Sequence, residues 1–127
     1  MALNVELVSP ERILWSGEAE MVVARTTDGD IAFLTGHAPF IGALGIGAVV
    51  IEEPGGKQTK IAVHGGFVEV SQNRVTILSD VAELATDIDV ARARKAKESA
   101  EAAFRAEPNP ENDAALRRAN LRLELAA

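Results

Sequence analysis

The chain is organised around the stretch Gly29-Asp30-Ile31-Ala32-Phe33-Leu34-Thr35-Gly36-His37-Ala38-Pro39-Phe40. This stretch is a short apolar run that ends in a turn, where Gly36 can adopt a positive φ and Pro39 cannot donate a ladder hydrogen bond. A second apolar run beside glycines, His64-Gly65-Gly66-Phe67-Val68-Glu69-Val70, follows later in the chain. Residues 1–84 therefore read as strands arranged around these two turns.

Short apolar runs with a period of two recur through residues 1–84, and this period is typical of half-buried strands. Turn signals such as Asp28-Gly29 and Pro54-Gly55-Gly56 separate the runs. Strands this short and evenly spaced predict an antiparallel β-sandwich or flattened barrel. We expect Trp15 and the phenylalanines to be the largest side chains of its core.

The apolar period changes to 3.6 from residue 85 onward, which predicts helices. Thr86, followed three residues later by Asp89, predicts a capping box at the start of the first helix. Glu107-Pro108-Asn109-Pro110 ends that helix, and Asn109 is the expected N-cap of a second one. The chain is thus expected to be α+β, with a β-sandwich domain over residues 1–84 and an antiparallel two-helix hairpin over residues 85–127.

The second helix carries two apolar stripes, which predicts two packing partners. The stripe suited to the first helix contains Ala115, Leu116, Ala119, Leu123 and Ala126, and the opposite stripe contains Ala114, Leu121 and Leu125. The first helix has one narrow stripe, made of Ala93, Ala96, Ala100, Ala103 and Phe104. The other partner of the second helix is expected to be the sandwich, a separate subunit, or each in turn. Two apolar stripes on one helix indicate an element that moves between partners.

Composition excludes several classes of protein. The chain has 127 residues, a net charge of −6 and no cysteine, so disulfides and thiolate metal sites are excluded and nucleic acid is disfavoured as a partner. No signal peptide is apparent at the N-terminus, so a cytoplasmic protein is expected. Residues 31–51 lack charged side chains, but their glycines and Pro39 favour a folded strand–turn–strand over a membrane span.

Signals for catalysis are weak. His37 and His64 are the only histidines, and they do not have the spacing of metal ligands. Gly55-Gly56-Lys57 resembles part of a phosphate loop, but Ile51 occupies the position of the first glycine. We expect no catalytic residue, no metal site and no required cofactor.

Four motifs resemble the ε subunit of bacterial F-type ATP synthases, and the resemblance runs nearly end to end. These motifs are Gly36-His37-Ala38-Pro39, Gly65-Gly66-Phe67-Val68-Glu69-Val70, Asn73-Arg74-Val75-Thr76 and Ala82-Glu83. The family usually has proline where this chain has Thr35, so the first turn is expected to be less rigid.

The resemblance implies a non-catalytic central-stalk subunit at the cytoplasmic face of the cell membrane. Such a subunit links the γ subunit to the c-ring, and its hairpin inhibits ATP hydrolysis. When the hairpin extends along γ, basic residues that correspond here to Arg117, Arg118 and Arg122 meet acidic segments of the α and β subunits. The resemblance also implies a c-ring contact, formed by Asp30, Gly36, His37 and Ala38.

The sequence Ile88-Asp89-Val90-Ala91-Arg92-Ala93 matches the I/L-D-x-x-R-A motif with which some bacterial ε subunits bind ATP. By the same resemblance, Glu83, Arg118 and Arg122 join Ile88, Asp89, Arg92 and Ala93 in a site that senses ATP without hydrolysing it. Helix N-terminal amides and arginine side chains both suit phosphate. Asp89 and Arg92 also make an ordinary helix-stabilising pair, so the residues alone leave ATP binding open.

Two other classes of function remain open from the sequence. A free-standing nucleotide sensor would keep the ATP site but would need no γ subunit. A plain protein-interaction module would have neither ATP affinity nor a rotary partner. Enrichment with γ, α and β from native membranes distinguishes the rotor subunit from both.

Overall fold

A computed structural model describes residues 2–126, which form eight strands, a 3-10 turn and two α-helices. The strands are β1 Leu3–Val8, β2 Ile13–Ala19, β3 Met21–Thr26, β4 Gly29–Leu34, β5 Phe40–Glu52, β6 Gln58–Ser71, β7 Arg74–Leu78 and β8 Ala82–Leu84. The 3-10 turn is Ala85–Asp87, and the helices are α1 Val90–Ala106 and α2 Pro110–Ala126. Strands followed by a helical pair confirm the predicted α+β class.

The strands form one continuous sheet in the order β2-β1-β7-β6-β5-β3-β4, with β8 also paired to β6. Every pair is antiparallel except β1 and β7, which run parallel. Residues from distant strands meet in one buried core, which contains Leu3 and Leu7 of β1, Phe33 of β4 and Ile51 of β5. The sheet therefore closes over itself as the predicted sandwich.

Strand β5 differs from the short β-like pieces expected for this region. It is a single strand of 13 residues, paired with β6 from Phe40 opposite Val70 to Glu52 opposite Gln58. Gly47 lies within β5 because the side chain of Arg25 packs where a Cβ would stand, only 2.6 Å from the Arg25 Cβ atom. The glycine thus serves close packing on β3 and does not break the strand.

The aromatic core is smaller than predicted. Phe33 is fully buried, whereas Trp15 is half-buried at the edge of the core and Phe67 is 61% exposed. Phe67 lies on the outer face of its strand because its neighbour Val68 takes the inward position. The expectation that all large aromatic residues lie in the core is therefore wrong for Phe67.

Two adjacent glycines let β6 change its partner. The first part of β6 pairs with β8 through Ile61–Val63, and the last part pairs with β7 from Phe67 onward. Gly66 lies between them with φ +127°, and a Cβ there would be 2.0 Å from the carbonyl oxygen of Leu78. Only glycine permits this approach of backbone to backbone.

The caps of the helical hairpin are partly as expected. The predicted capping box of Thr86 is wrong, because Thr86 lies in the 3-10 turn and Asp89 itself caps α1 by accepting a hydrogen bond from the Arg92 amide. The predicted cap at Asn109 is confirmed, since its side chain accepts from the Asn112 amide at 2.8 Å. The Asn112 side chain also donates to the carbonyl oxygen of Glu107 at 2.8 Å and so secures the end of α1.

The hairpin packs on the sandwich through α2, with α1 as the outer layer. Leu121, Leu123, Leu125 and Ala126 pack against a small cluster formed by Ala62, Ile88 and Ala93. The two partners predicted for α2 are thus the sheet and α1. In α1, Ala93 and Ala100 are buried, whereas Ala96 and Ala103 are exposed, so the predicted stripe is only partly covered.

Within residues 2–126, neither helix has the length and apolar character that a membrane span requires. The uncharged residues 31–51 form the end of β4, the turn and most of β5.

Replacement of Gly66 by alanine should destabilise the sandwich strongly. The new Cβ would overlap the Leu78 carbonyl, and we expect the free energy of unfolding to fall by about 2–4 kcal/mol. Gly56→Ala is the matched control, because Gly56 also has a positive φ (+91°) but has no atom within 4 Å of a Cβ. It should cost only about 1 kcal/mol. Urea unfolding curves measure both, and equal losses would contradict the importance of the close approach.

Candidate functional site

A cavity of about 470 Å³ lies between one end of the sandwich and the start of α1. The β1–β2 connection with the start of β2, the β7–β8 connection with β8, and both helices contribute to its walls. The lining residues are Ser9, Glu11, Arg12, Leu14, Asp80, Val81, Ala82, Glu83, Asp87, Ile88, Asp89, Arg92, Ala93, Ala96 and Arg122. Any molecule bound here would touch the sandwich and the hairpin together.

The start of α1 forms one wall of this cavity. The Asp89 carboxylate accepts the Arg92 amide at 3.1 Å, and the Asp89 carbonyl accepts the Ala93 amide at 2.9 Å. Asp89 thereby satisfies a helix amide that an anion would otherwise use. The guanidinium of Arg92 remains exposed at the cavity.

An ion pair in the wall of the cavity joins the helical hairpin to the sandwich. Arg122 of α2 donates through Nε to the Glu83 carboxylate of β8. Both side chains are about three-quarters buried, at 26% and 30% exposure, so solvent screens this pair less than a surface pair. A ligand that takes Arg122 as a partner must share it with Glu83 or displace Glu83.

The cavity has more acidic than basic side chains. Its carboxylates are Glu11, Asp80, Glu83, Asp87 and Asp89, and its guanidinium groups are Arg12, Arg92 and Arg122. A phosphate group would therefore bind beside the arginines, and the excess of carboxylates would weaken its binding. Across residues 2–126, no group of three or more histidine or acidic side chains has a geometry that would hold a metal ion.

The structure brings six of the seven predicted ATP-site residues to this one cavity: Glu83, Ile88, Asp89, Arg92, Ala93 and Arg122. Arg118, the seventh, lines a different cavity of about 560 Å³ with Arg117 and His64. Glu11 and Arg12 also line the first cavity, from the connection between β1 and β2, although the sequence did not predict them there. No local motif marks them, because only the pairing of β1 with β7 places them there.

The turn at residues 35–39 is held more firmly than its missing proline suggests. The Gly36 amide, at φ +86°, donates to the side-chain oxygen of Asn73 at 2.7 Å. The His37 amide donates to the Leu34 carbonyl at 3.0 Å. The His37 ring contacts the Phe33 ring edge-on, with 5.1 Å between the two ring centroids. A hydrogen bond from the β6–β7 turn thus supports Gly36, His37 and the following Ala38.

Asp30 lies at the other end of β4 from this turn. It faces Arg25 of β3, which donates through Nε and Nη2 to its two carboxylate oxygens at 2.9 and 3.3 Å. These hydrogen bonds hold the pKa of the exposed Asp30 carboxyl below its usual value. The four residues predicted to contact one partner are therefore not brought together at one end of the strand.

The outer face of the sandwich carries an apolar row that crosses five strands. Strand pairing places its members side by side in the order Ile13, Val8, Leu78, Phe67 and Ala43. Phe67 is 61% exposed and Leu78 is 50% exposed, and Ile41 beside the row is 74% exposed. Exposed apolar side chains in one contiguous row are typical of a surface that another protein covers.

The comparisons with known proteins agree with one another. The sequence model of the family described as "ATP synthase, Delta/Epsilon chain, beta-sandwich domain" matches residues 2–85. An ATP synthase epsilon chain of Streptomyces avermitilis is 47% identical over 122 residues, which cover 95% of this chain and 92% of the relative. An epsilon chain of Frankia casuarinae is 48% identical over 84 residues, which cover 66% of this chain and 99% of that relative.

Solved structures share the fold. A chain of the mitochondrial ATP synthase of Euglena gracilis, in a structure of its OSCP, F1 and c-ring parts, aligns with a TM-score of 0.73 at 25% identity. The alignment covers 97% of this chain and 76% of that chain. A chain from the central stalk and c-ring of the Tetrahymena thermophila enzyme aligns with a TM-score of 0.57 at 16% identity, which shows likeness of fold alone.

Proposed function

Because this chain belongs to the ATP synthase epsilon-chain family, we propose that it joins the γ subunit to the c-ring in the rotor of a proton-translocating F-type ATP synthase. Family membership makes it a subunit of the complex without an active site of its own. The observation that carries the proposal is 47% identity to an epsilon chain across 95% of the chain. In this role it lies peripherally on the cytoplasmic face of the membrane.

Within this proposal the sandwich of residues 1–84 is the part that couples the partners. The Frankia relative supports a division of labour, because 84 aligned residues make up 99% of it. An epsilon chain thus exists with about the length of the sandwich alone. The hairpin of residues 85–127 would then add control without being needed for assembly.

The apolar row is our candidate surface for γ. Its central members Phe67 and Leu78 are large, exposed and adjacent, and apolar side chains of this kind supply most of the energy at the centre of a stable protein interface. The row lies on strands β2, β1, β7, β6 and β5, whereas α2 packs on another part of β5 and β6, beside His64. γ and a docked hairpin can therefore be accommodated on different parts of the sandwich.

The candidate surface for the c-ring is the turn that contains Gly36, His37 and Ala38. Its backbone is held by hydrogen bonds to Asn73 and Leu34, and the His37 ring packs on Phe33, so it presents a preorganised contact to the polar loops of a ring. Asp30 belongs to the same contact if those loops follow β4 to its other end, where Arg25 orients the carboxylate.

Replacement of Phe67 by serine should weaken association with γ. The substitution removes the largest exposed apolar side chain of the row, and we expect at least a tenfold loss of affinity, since a central aromatic residue contributes about 2 kcal/mol or more. Val90→Ser is the matched control, because Val90 is also an exposed apolar residue (38%) but lies on α1. Co-purification of γ, α and β from native membranes provides the measurement.

Two results of this experiment would count against the proposal. If the unaltered chain never enriches with γ, α and β, the rotor assignment fails. If Phe67→Ser binds as well as Val90→Ser, γ uses another surface of the sandwich.

The hairpin is the proposed regulatory element, which inhibits ATP hydrolysis when it leaves the sandwich and extends along γ toward α and β. Its contact with the sandwich is made mainly through α2, which packs on β5 and β6, forms the Glu83–Arg122 pair and covers the small cluster that contains Ala62. Arg117 and Arg118 lie on α2, where an extended hairpin would offer them to acidic segments of α and β.

ATP is the proposed ligand of the cavity at the start of α1, and its binding would favour the docked hairpin. Ligands that contact two elements at once stabilise the arrangement in which both are present. Arg92 and Arg122 come from the hairpin, while Arg12 and Glu83 come from the sandwich. The arginines would bind phosphate, and Ile88 and Ala93 supply apolar surface for the rest of the nucleotide.

Arg92→Ala should abolish saturable ATP binding or weaken it at least tenfold, because an exposed guanidinium at the cavity would be lost. Arg94→Ala is the matched control on the same helix, since Arg94 is exposed and does not line the cavity. Calorimetric titration of the isolated protein measures both. If no heat of binding is detected up to millimolar ATP, the proposed ATP site is contradicted, and Asp89 and Arg92 serve only as a helix-stabilising pair.

A further inference from the structure

The side chain of His64 lies in the interface between the sandwich and α2. Its backbone is fixed in β6, where it is paired with Ile46 of β5 and donates its amide to the Val81 carbonyl at 3.0 Å. Its ring nitrogens are both buried, and neither has a hydrogen-bond partner among the described residues. A neutral imidazole tolerates this position at a modest cost, whereas an imidazolium would bury two unsatisfied donors and a charge.

The charges that face His64 are mostly positive. Arg117, Arg118 and Arg122 approach it from α2, and Arg25 of β3 lines the same cavity. Among the described residues, Glu83 of β8 is the acidic side chain whose charge acts on His64, and its carboxylate is already engaged by Arg122. Arg25 is paired with Asp30 and Arg117 with Asp113, so Arg118 and Arg122 carry most of the repulsion. Gly45 and Ile46 of β5, which complete the surroundings, carry no charge. Release of the hairpin would remove three of these arginines and open the ring to water.

We propose that docking of the helical hairpin on the sandwich is linked to the proton on His64, so that acidification releases the hairpin. This goes beyond the ATP-gated control above, because the proton acts on the interface under α2 and not on the cavity at the start of α1. Its value as regulation rests on the proposed function, but the linkage itself is a property of the isolated chain.

The direction of the effect follows from the two states of His64. In the docked state, burial first and then repulsion by Arg122 lower the pKa of His64 to about 4, from 6.5 for an ordinary histidine. The released chain therefore binds the proton more readily than the docked chain. Docking is strongest above pH 6.5 and weakens as the pH falls from there toward the pKa of the docked state.

The test is single-molecule energy transfer between dyes on the sandwich and on α1. The chain has no cysteine, so Lys60→Cys and Lys95→Cys place two dyes at exposed positions on β6 and α1. We expect the ratio of released to docked molecules to rise roughly fivefold between pH 7.5 and 5.5. Pure linkage between a pKa of 6.5 in the released chain and about 4 in the docked chain would give a rise of about tenfold over this range, and we expect less because solvent reaches part of the ring.

His64→Gln and His37→Gln are the paired variants. The first removes the titrating group and should leave the ratio unchanged within twofold over this pH range. The second removes the only other histidine, which lies in the turn at residues 35–39, and should keep the fivefold rise. A flat response in the unaltered chain, or the same rise in His64→Gln, would overturn the proposal.

Nitrogen NMR of the two histidine rings gives an independent test that needs no substitution. In the docked chain, His64 should remain neutral at pH 5.5, whereas a His64 that titrates near pH 6.5 without release of the hairpin would also overturn the proposal. Because both measurements use the isolated chain, they stand or fall separately from the rotor assignment, which depends on enrichment with γ.

Discussion

The Gly66 backbone passes so close to the carbonyl oxygen of Leu78 that a side chain at Gly66 would overlap it. This close approach allows the long strand β6 to pair with β8 before the glycines and with β7 after them. The buried Ser79 hydroxyl donates to the Gly65 carbonyl at 2.7 Å and thereby fixes the β7–β8 connection to the same point. His64 directly precedes the two glycines and lies under α2, and Phe67 directly follows them and lies in the apolar row.

The hairpin is attached to the sandwich by fewer contacts than those that hold the sandwich itself together. Its contact with the sandwich is made mainly by α2, which packs on β5 and β6 and pairs Arg122 with Glu83. The apolar cluster under α2 contains Ala62 of the sandwich and two residues of the hairpin itself, and the ring nitrogens of His64 have no hydrogen-bond partner among the described residues. The sandwich, by contrast, has a core drawn from seven strands, β1 to β7. A domain that rests on so few interactions is suited to leave its binding surface when ATP, a proton or another subunit alters the balance.

Much of this architecture was predictable because the local signals agree with the tertiary structure. The period of two, the turn glycines, the Asn109 cap and the two stripes of α2 all indicate the observed elements. Features set by distant contacts were not predictable. Gly47 leaves room for the side chain of Arg25 and does not break β5, and Asp89 caps α1 in place of Thr86 because residues 85–87 form a 3-10 turn. The same holds for Arg12 in the cavity and for Arg118 outside it, since strand pairing and the packing of α2 decide both.

We propose that the sandwich couples the rotor while the hairpin restrains ATP hydrolysis. Membrane vesicles that carry the complex, with either the full chain or a chain that ends at residue 84, separate these two roles. We expect that loss of residues 85–127 raises ATP hydrolysis severalfold and leaves proton-driven ATP synthesis intact. Unchanged hydrolysis would contradict a regulatory hairpin, and loss of synthesis would contradict a sandwich that suffices for coupling.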